Sequence, residues 1–193
     1  MRVGDIEHFR PRFSAETPAR RRAVFLDRDG VVNQPVFRDG RPCAPRQVSE
    51  FVIEPEIEES LRRLRAAGFL IFIVTNQPDV AREQLSVEAL CAMNELILAK
   101  LAVDEIKVCP HDDRDECNCR KPRPQMLLDL AADHNVVLED SFIIGDSWKD
   151  TQAGKAAGCN SIIIDRRYNR GDPADYRVAD VNSAVNFILR RDT

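Results

Sequence analysis

Four strand-length apolar runs recur along the chain, at residues 23–26, 69–74, 142–144 and 161–164, and each is nearly continuous rather than alternating. A strand wetted on one face alternates polar with apolar residues, whereas one buried on both faces does not. Segments of helical spacing separate the runs: Ile57, Leu61 and Leu64 after Pro55, then Leu90, Met93, Leu96, Ile97 and Leu101, then Met126, Leu127, Leu130 and Ala131 after Pro124. The order strand, helix, strand, helix predicts an α/β fold with a parallel sheet covered by helices on both faces. A further strand is expected at 105–108, a small-residue helix around 151–157 and a last helix at 181–189. Residues 168–176 are too polar to assign.

The charge balance narrows the function classes. With 28 Lys plus Arg against 32 Asp plus Glu, the 193-residue chain carries a net charge of -4, so no general field draws it to nucleic acid or to an anionic membrane. The apolar runs fall far short of the roughly 20 residues that span a bilayer. Six Arg crowd the first 22 residues, but Asp5, Glu7 and Glu16 are mixed among them and no apolar run follows as in a secretory signal. The expected organisation is a polar N-terminal extension at 1–22 and one domain at 23–193. A cytoplasmic, monomeric protein without nucleic-acid or membrane partners is expected.

Chemistry concentrates where the strands end. Asp27-Arg28-Asp29-Gly30 directly follows the first run, so two carboxylates two residues apart can project to one side. Alone this reads equally as an Asp-Gly turn. A second acidic pair, Asp146 and Asp150, follows the run at 142–144, and could instead cap the next helix. Together Asp27, Asp29 and Asp146 could surround one hard cation such as Mg2+, with Thr75 and Lys121 completing a shell of donors around a transferring phosphoryl group. Cys109, His111, Cys117 and Cys119 form a C-x-H-x5-C-x-C cluster able to close a tetrahedron around Zn2+. Four protein ligands leave no open position, so this ion is expected to be structural. Cys43, Cys91 and Cys159 read as ordinary thiols.

The sequence Asp27-Arg28-Asp29-Gly30, Thr75-Asn76-Gln77, Arg120-Lys121-Pro122 and Gly145-Asp146 with Asp150, in that order, resembles the four motifs of the haloacid dehalogenase superfamily of phosphatases. The Cys109-Pro110-His111 and Cys117-Asn118-Cys119 loop is similar to that of its heptose bisphosphate phosphatases and the related histidinol-phosphatases. The resemblance covers about residues 23–165. It implies a three-layer Rossmann-like sheet and a phosphoric monoester hydrolase acting on a small phosphorylated sugar or metabolite. It also implies that Asp27 attacks phosphorus, that Asp29 serves as general acid and base, and that Thr75 and Lys121 stabilise the phosphoryl oxygens. Mg2+ would sit on Asp27, Asp146 and the carbonyl of Asp29. Asn76, Gln77, Arg82 and Arg120 would bind substrate, and Asp150 would position Asp146 or cap its helix.

About 40 residues with one helix lie between Gly30 and the run at 69–74, too few for a separate cap domain, so specificity must come from loops. Arg38, Arg46, Arg82, Arg120 and Arg123 are candidates to grip a second anionic group, with plain surface charge the competing account of Arg38, Arg46 and Arg123. An amine substrate such as histidinol phosphate would favour Asp39, Asp79 or Glu83 instead. A zinc-stabilised binding module with a degenerate phosphatase fold is the remaining alternative. Where the family usually reads Thr-Asn-Gln-Ser-Gly and Ala-Arg-Gly, this chain has Thr75-Asn76-Gln77-Pro78-Asp79 and Ala81-Arg82-Glu83. Two loop glycines are thereby lost.

Overall fold

The computed structural model describes residues 8–9 and 20–191, so most of the expected extension at 1–22 lies outside the described residues. In chain order the elements are β1 (His8–Phe9), β2 (Ala23–Leu26), β3 (Val36–Arg38), β4 (Arg41–Cys43), α1 (Ile57–Ala66), β5 (Leu70–Asn76), α2 (Pro78–Ala81), α3 (Val87–Lys100), β6 (Glu105–Cys109), α4 (Gln125–His134), β7 (Phe142–Gly145), α5 (Trp148–Ala157), β8 (Asn160–Ile164), β9 (Tyr176–Val178) and α6 (Val181–Arg191).

The main sheet has the order β1-β6-β5-β2-β7-β8-β9. Its last six strands run parallel, and β1 pairs antiparallel with β6 at one edge. The chain winds outward from β2 through β5 to β6, then returns to the other side of β2 with β7 and winds on to β9. The carboxyl end of β2 is therefore the topological switch point, where the outgoing connections part and leave a crevice.

Side chains alternate between the faces of the sheet, and the two sets pack under different helices. Val24, Leu26, Ile71, Ile73, Ile144 and Ile162 meet Leu61 and Leu64 of α1, Leu90 and Met93 of α3, and Val185 and Ile188 of α6. Ala23, Phe25, Phe72, Val74 and Ile143 meet Met126, Leu127 and Leu130 of α4 and Ala153 of α5. This is the three-layer arrangement the continuous apolar runs imply. The α3 helix starts where the Ser86 hydroxyl accepts the Ala89 amide at 3.1 Å, and α5 starts on a reciprocal pair between Ser147 and Asp150.

Two features escape the apolar pattern. Between β2 and α1 the described residues form a two-stranded antiparallel hairpin, β3–β4, with Val36 opposite Cys43. The strand β9 arises just after the polar stretch, held by its ladder to β8. Neither has a continuous apolar run, because each has one exposed side.

Candidate active site

Asp27 directly follows β2 at the switch point, its amide donating to the Ile144 carbonyl of β7 at 2.9 Å. Its Oδ1 accepts the Arg28 amide at 2.8 Å and the Lys121 ammonium at 2.9 Å. Lys121 is only 2 % exposed, and its Nζ also donates to the Val74 carbonyl at 2.7 Å and to Asp150 Oδ1. Asn76 holds the Lys121 backbone at both ends, giving Nδ2–H to its carbonyl at 2.9 Å and accepting its amide at 3.0 Å. Burial alone would lower the Lys121 pKa, but the Asp150 and Asp27 carboxylates outweigh it and raise it.

Carboxylate oxygens of Asp27, Asp146 and Asp150 lie within 4.8 Å of one another. Asp150, buried to 1 % exposure, accepts the Ser147 amide and hydroxyl on Oδ2 at 3.1 and 2.9 Å. Tyr168 donates its phenol to Asp146 Oδ2, and Asn169 anchors the Asp146 carbonyl at 2.8 Å. A Cβ on Gly30, whose φ is +90°, would lie 2.1 Å from Asp146 Oδ2, so only glycine lets the first loop approach this carboxylate.

Three acids share one lysine here. Burial, then repulsion from Asp150, pushes Asp27 well above the usual carboxylate range, with Asp146 and Asp29 adding to it and Lys121 opposing it. The same two leading causes push Asp146 up to about 7, against the Tyr168 hydrogen bond. A cluster short of positive charge, built only of oxygen donors, fits a hard dication such as Mg2+.

Asp29 stands beside this cluster. Arg28, fully buried, donates to Asp29 Oδ1 from Nε and Nη2 at 3.3 and 3.1 Å. Asn33 reaches Oδ1 at 3.1 Å, and Gln77 reaches Oδ2 at 2.6 Å while also donating to the Thr75 hydroxyl at 2.9 Å. Gln77 and Thr75 are thus wholly buried behind Asp29.

Asp27, Asp29, Asn76, Lys121, Asp146, Asp150 and Tyr168 open on a cavity of about 390 Å3 that is also lined by Cys43 and Pro42 of β4, Arg46, Asp79, Arg82 and Lys149. Lys149 makes no ion pair among the described residues. Arg120 does not line the cavity; it donates to Asp113 Oδ1 at 2.6 Å and to the His111 carbonyl at 3.2 Å. Arg123 turns to the Cys117 carbonyl and Arg38 to Glu50 at 2.6 Å.

The four expected zinc ligands converge at the end of β6. Cys109 Sγ is 3.6 Å from Cys117 Sγ and 3.7 Å from His111 Nδ1, Cys119 Sγ is 3.5 Å from Cys117 Sγ, and His111 Nδ1 is 3.3 Å from Cys119 Sγ. A tetrahedron with Zn–S bonds of about 2.3 Å has edges of about 3.8 Å, so this group could hold such an ion. The Cys109 carbonyl accepts the Gln77 amide at 2.7 Å, which ties the loop to the segment that follows β5.

Sequence reasoning missed Tyr168 and Lys149, which line this cavity, and Arg28, which is buried against Asp29. Tyr168 lies in the unassigned polar stretch, Arg28 sits inside a motif read only for its carboxylates, and Lys149 follows Asp146 by three residues without a pattern of its own.

Comparison with known proteins places this geometry. A HAD-hydrolase-like family model matches residues 118–182. A D-glycero-beta-D-manno-heptose-1,7-bisphosphate 7-phosphatase of Rhodopseudomonas palustris is 40 % identical over 151 residues, which are 72 % of this chain and 81 % of that protein. The chain belongs to the HAD-like phosphatases. As a member it is a phosphoric monoester hydrolase. The Bordetella bronchiseptica enzyme of the same name is 34 % identical over 84 % of this chain and 94 % of its own. A B. bronchiseptica D,D-heptose 1,7-bisphosphate phosphatase crystal structure, complexed with magnesium and phosphate, superposes on this HAD-like phosphatase with a TM-score of 0.77 at 30 % identity. It covers 88 % of this chain and 99 % of the other.

Proposed function

We propose that the chain removes the 7-phosphate of D-glycero-D-manno-heptose 1,7-bisphosphate, leaving the 1-phosphate, through a phosphoryl group carried on Asp27. The observation that carries this reading is the Asp27 carboxylate at the switch point, gripped by a buried Lys121 and crowded by Asp146 and Asp150 in one cavity. An Asp27 oxygen bonds to phosphorus as the bond from phosphorus to the sugar oxygen breaks, and Asp29 gives that oxygen its proton. Water then attacks the same phosphorus, Asp29 takes the water's proton, and free phosphate departs as the Asp27 carboxylate is restored. Lys121 offers a cation to the phosphoryl oxygens, while Thr75, buried behind Asp29 and bonded to Gln77, serves by holding that side of the site. Asn76 fixes the Lys121 backbone and Gln77 joins Thr75 to Asp29, so both serve the reaction by holding other groups.

Mg2+ bound by Asp27, Asp146 and the Asp29 carbonyl supplies the charge that lets an anionic ester approach three carboxylates. Asp150 is the partner of Lys121 and Ser147, which supports a positioning role for it. Zn2+ on Cys109, His111, Cys117 and Cys119 would stiffen the loop that leads into Arg120 and Lys121. Arg120 serves substrate through that loop, in keeping with its bonds to Asp113 and the His111 carbonyl.

The cationic groups that line the cavity besides Lys121, namely Arg46, Arg82 and Lys149, support a substrate with a second anion. Asp79 is already paired with two arginines, and neither Asp39 nor Glu83 lines the cavity, which speaks against an amine substrate. Cysteines that form no disulfide among the described residues support a reducing, cytoplasmic setting. No described helix is long and apolar enough to cross a membrane. The test is Mg2+-dependent phosphate release from the heptose bisphosphate against histidinol phosphate. A hundredfold preference in kcat/KM for the bisphosphate is expected, and a preference for histidinol phosphate would overturn the substrate reading.

A further inference from the structure

The arginine pair lining the cavity is electrically closed on itself. Asp79, 7 % exposed, accepts Arg46 Nε on Oδ2 at 2.7 Å and Arg82 Nη1 on Oδ1 at 3.4 Å. Arg82 spends its other donors on Asp112, from Nε at 2.9 Å and Nη2 at 2.7 Å, and Arg46 gives an Nη2 hydrogen to Gln84. Two guanidiniums face two carboxylates, so the pair that should attract a distal anion carries no net charge. The Asp79 carboxylate is not needed to shape the loop, which its backbone carbonyl secures by accepting the Gln84 and Leu85 amides at 2.8 and 3.0 Å.

Resting on the proposed bisphosphate reading, we infer that Asp79 is a specificity-determining residue: an internal anion that competes with the substrate's second phosphate for Arg46 and Arg82. A phosphate must displace the Asp79 carboxylate before it gains these charge-assisted bonds. If the carboxylate holds the pair about nine-tenths of the time, apparent affinity for the distal phosphate falls about tenfold. A monophosphate that does not reach the pair is not subject to that competition. Asp79 thereby lowers the preference for bisphosphate over monophosphate that the arginines alone would give.

The experiment compares kcat/KM for the heptose 1,7-bisphosphate and for the heptose 7-phosphate in wild type, Asp79→Asn and Asp79→Ser. Both variants should raise the bisphosphate-to-monophosphate ratio about tenfold, chiefly through KM, and adding Arg46→Gln to Asp79→Asn should cancel the gain. A ratio that stays fixed or falls in both variants, or a gain that survives Arg46→Gln, overturns the inference. Failure of the underlying reading looks different: a wild-type chain that hydrolyses p-nitrophenyl phosphate but neither heptose ester refutes the substrate and this inference together. Hydrolysis of the bisphosphate with an unmoved ratio refutes the inference alone.

Discussion

Lys121→Met isolates the electrostatics of the site. The lysine is 2 % exposed and is the shared partner of Asp27 and of Asp150, itself 1 % exposed. Methionine keeps the length of the side chain but leaves two buried carboxylates facing each other. Breaking a buried ion pair by removing one partner costs about 3–5 kcal/mol. In a domain of this size each kcal/mol moves Tm by about 2–4 °C, so the variant should melt about 6–20 °C below wild type in EDTA at neutral pH. The loss should shrink as pH falls. Asp27 has a pKa raised in the folded chain even with the lysine present, so its proton is bound more tightly folded than unfolded, and removing the cation strengthens that difference. Folding is then penalised most above the raised pKa and regains stability as the acid protonates. Calorimetry across pH, with and without Mg2+, is the assay, and Mg2+ should recover part of the loss at neutral pH. A variant that melts within 2 °C of wild type in EDTA, about the smallest shift 1 kcal/mol gives, would refute the view that the cluster depends on this cation.

Other tests reach the remaining parts of the account. Asp27→Asn should lower turnover by at least about 10^3-fold with the fold retained by circular dichroism, as expected when a covalent nucleophile is lost. Metal analysis of purified protein should find about one zinc per chain, with chelation unfolding the 109–123 segment in hydrogen exchange rather than the sheet. Arg120→Ala should speed zinc release, because its guanidinium spans Asp113 and the His111 carbonyl of the ligand loop. Cys159, whose thiol burial pushes up to about 12, should react with a thiol reagent far more slowly than half-exposed Cys43.

How much of this was legible in the sequence depends on the range over which each signal acts. The parallel strands β2, β5, β7 and β8 announced themselves because burial on both faces demands unbroken apolar runs, and the polar residues closing those runs marked the crevice. The hairpin at 36–43 and β9 carried no such run and were missed, since pairing to a neighbour, not local composition, makes them strands. At the site, Asp27, Asp146, Asp150 and Lys121 come together as their positions after strands and in the Arg-Lys-Pro loop suggested. The cysteine cluster was legible from spacing alone. What spacing could not convey was which arginines would find carboxylates: Arg82 and Arg46 meet at Asp79 in the cavity wall, 33 residues from Arg46 along the chain, and Arg120 turns away toward Asp113.

The claim on which the rest depends is that Asp27 carries the phosphoryl group. The direct measurement is to quench turnover of the bisphosphate in acid, reduce with borohydride and map the chain by tandem mass spectrometry, since reduction converts an aspartyl phosphate to homoserine. Homoserine at position 27, dependent on substrate and Mg2+, is the predicted result. An unmodified Asp27 under conditions of steady phosphate release, or homoserine at position 29 or 146 instead, would contradict the account.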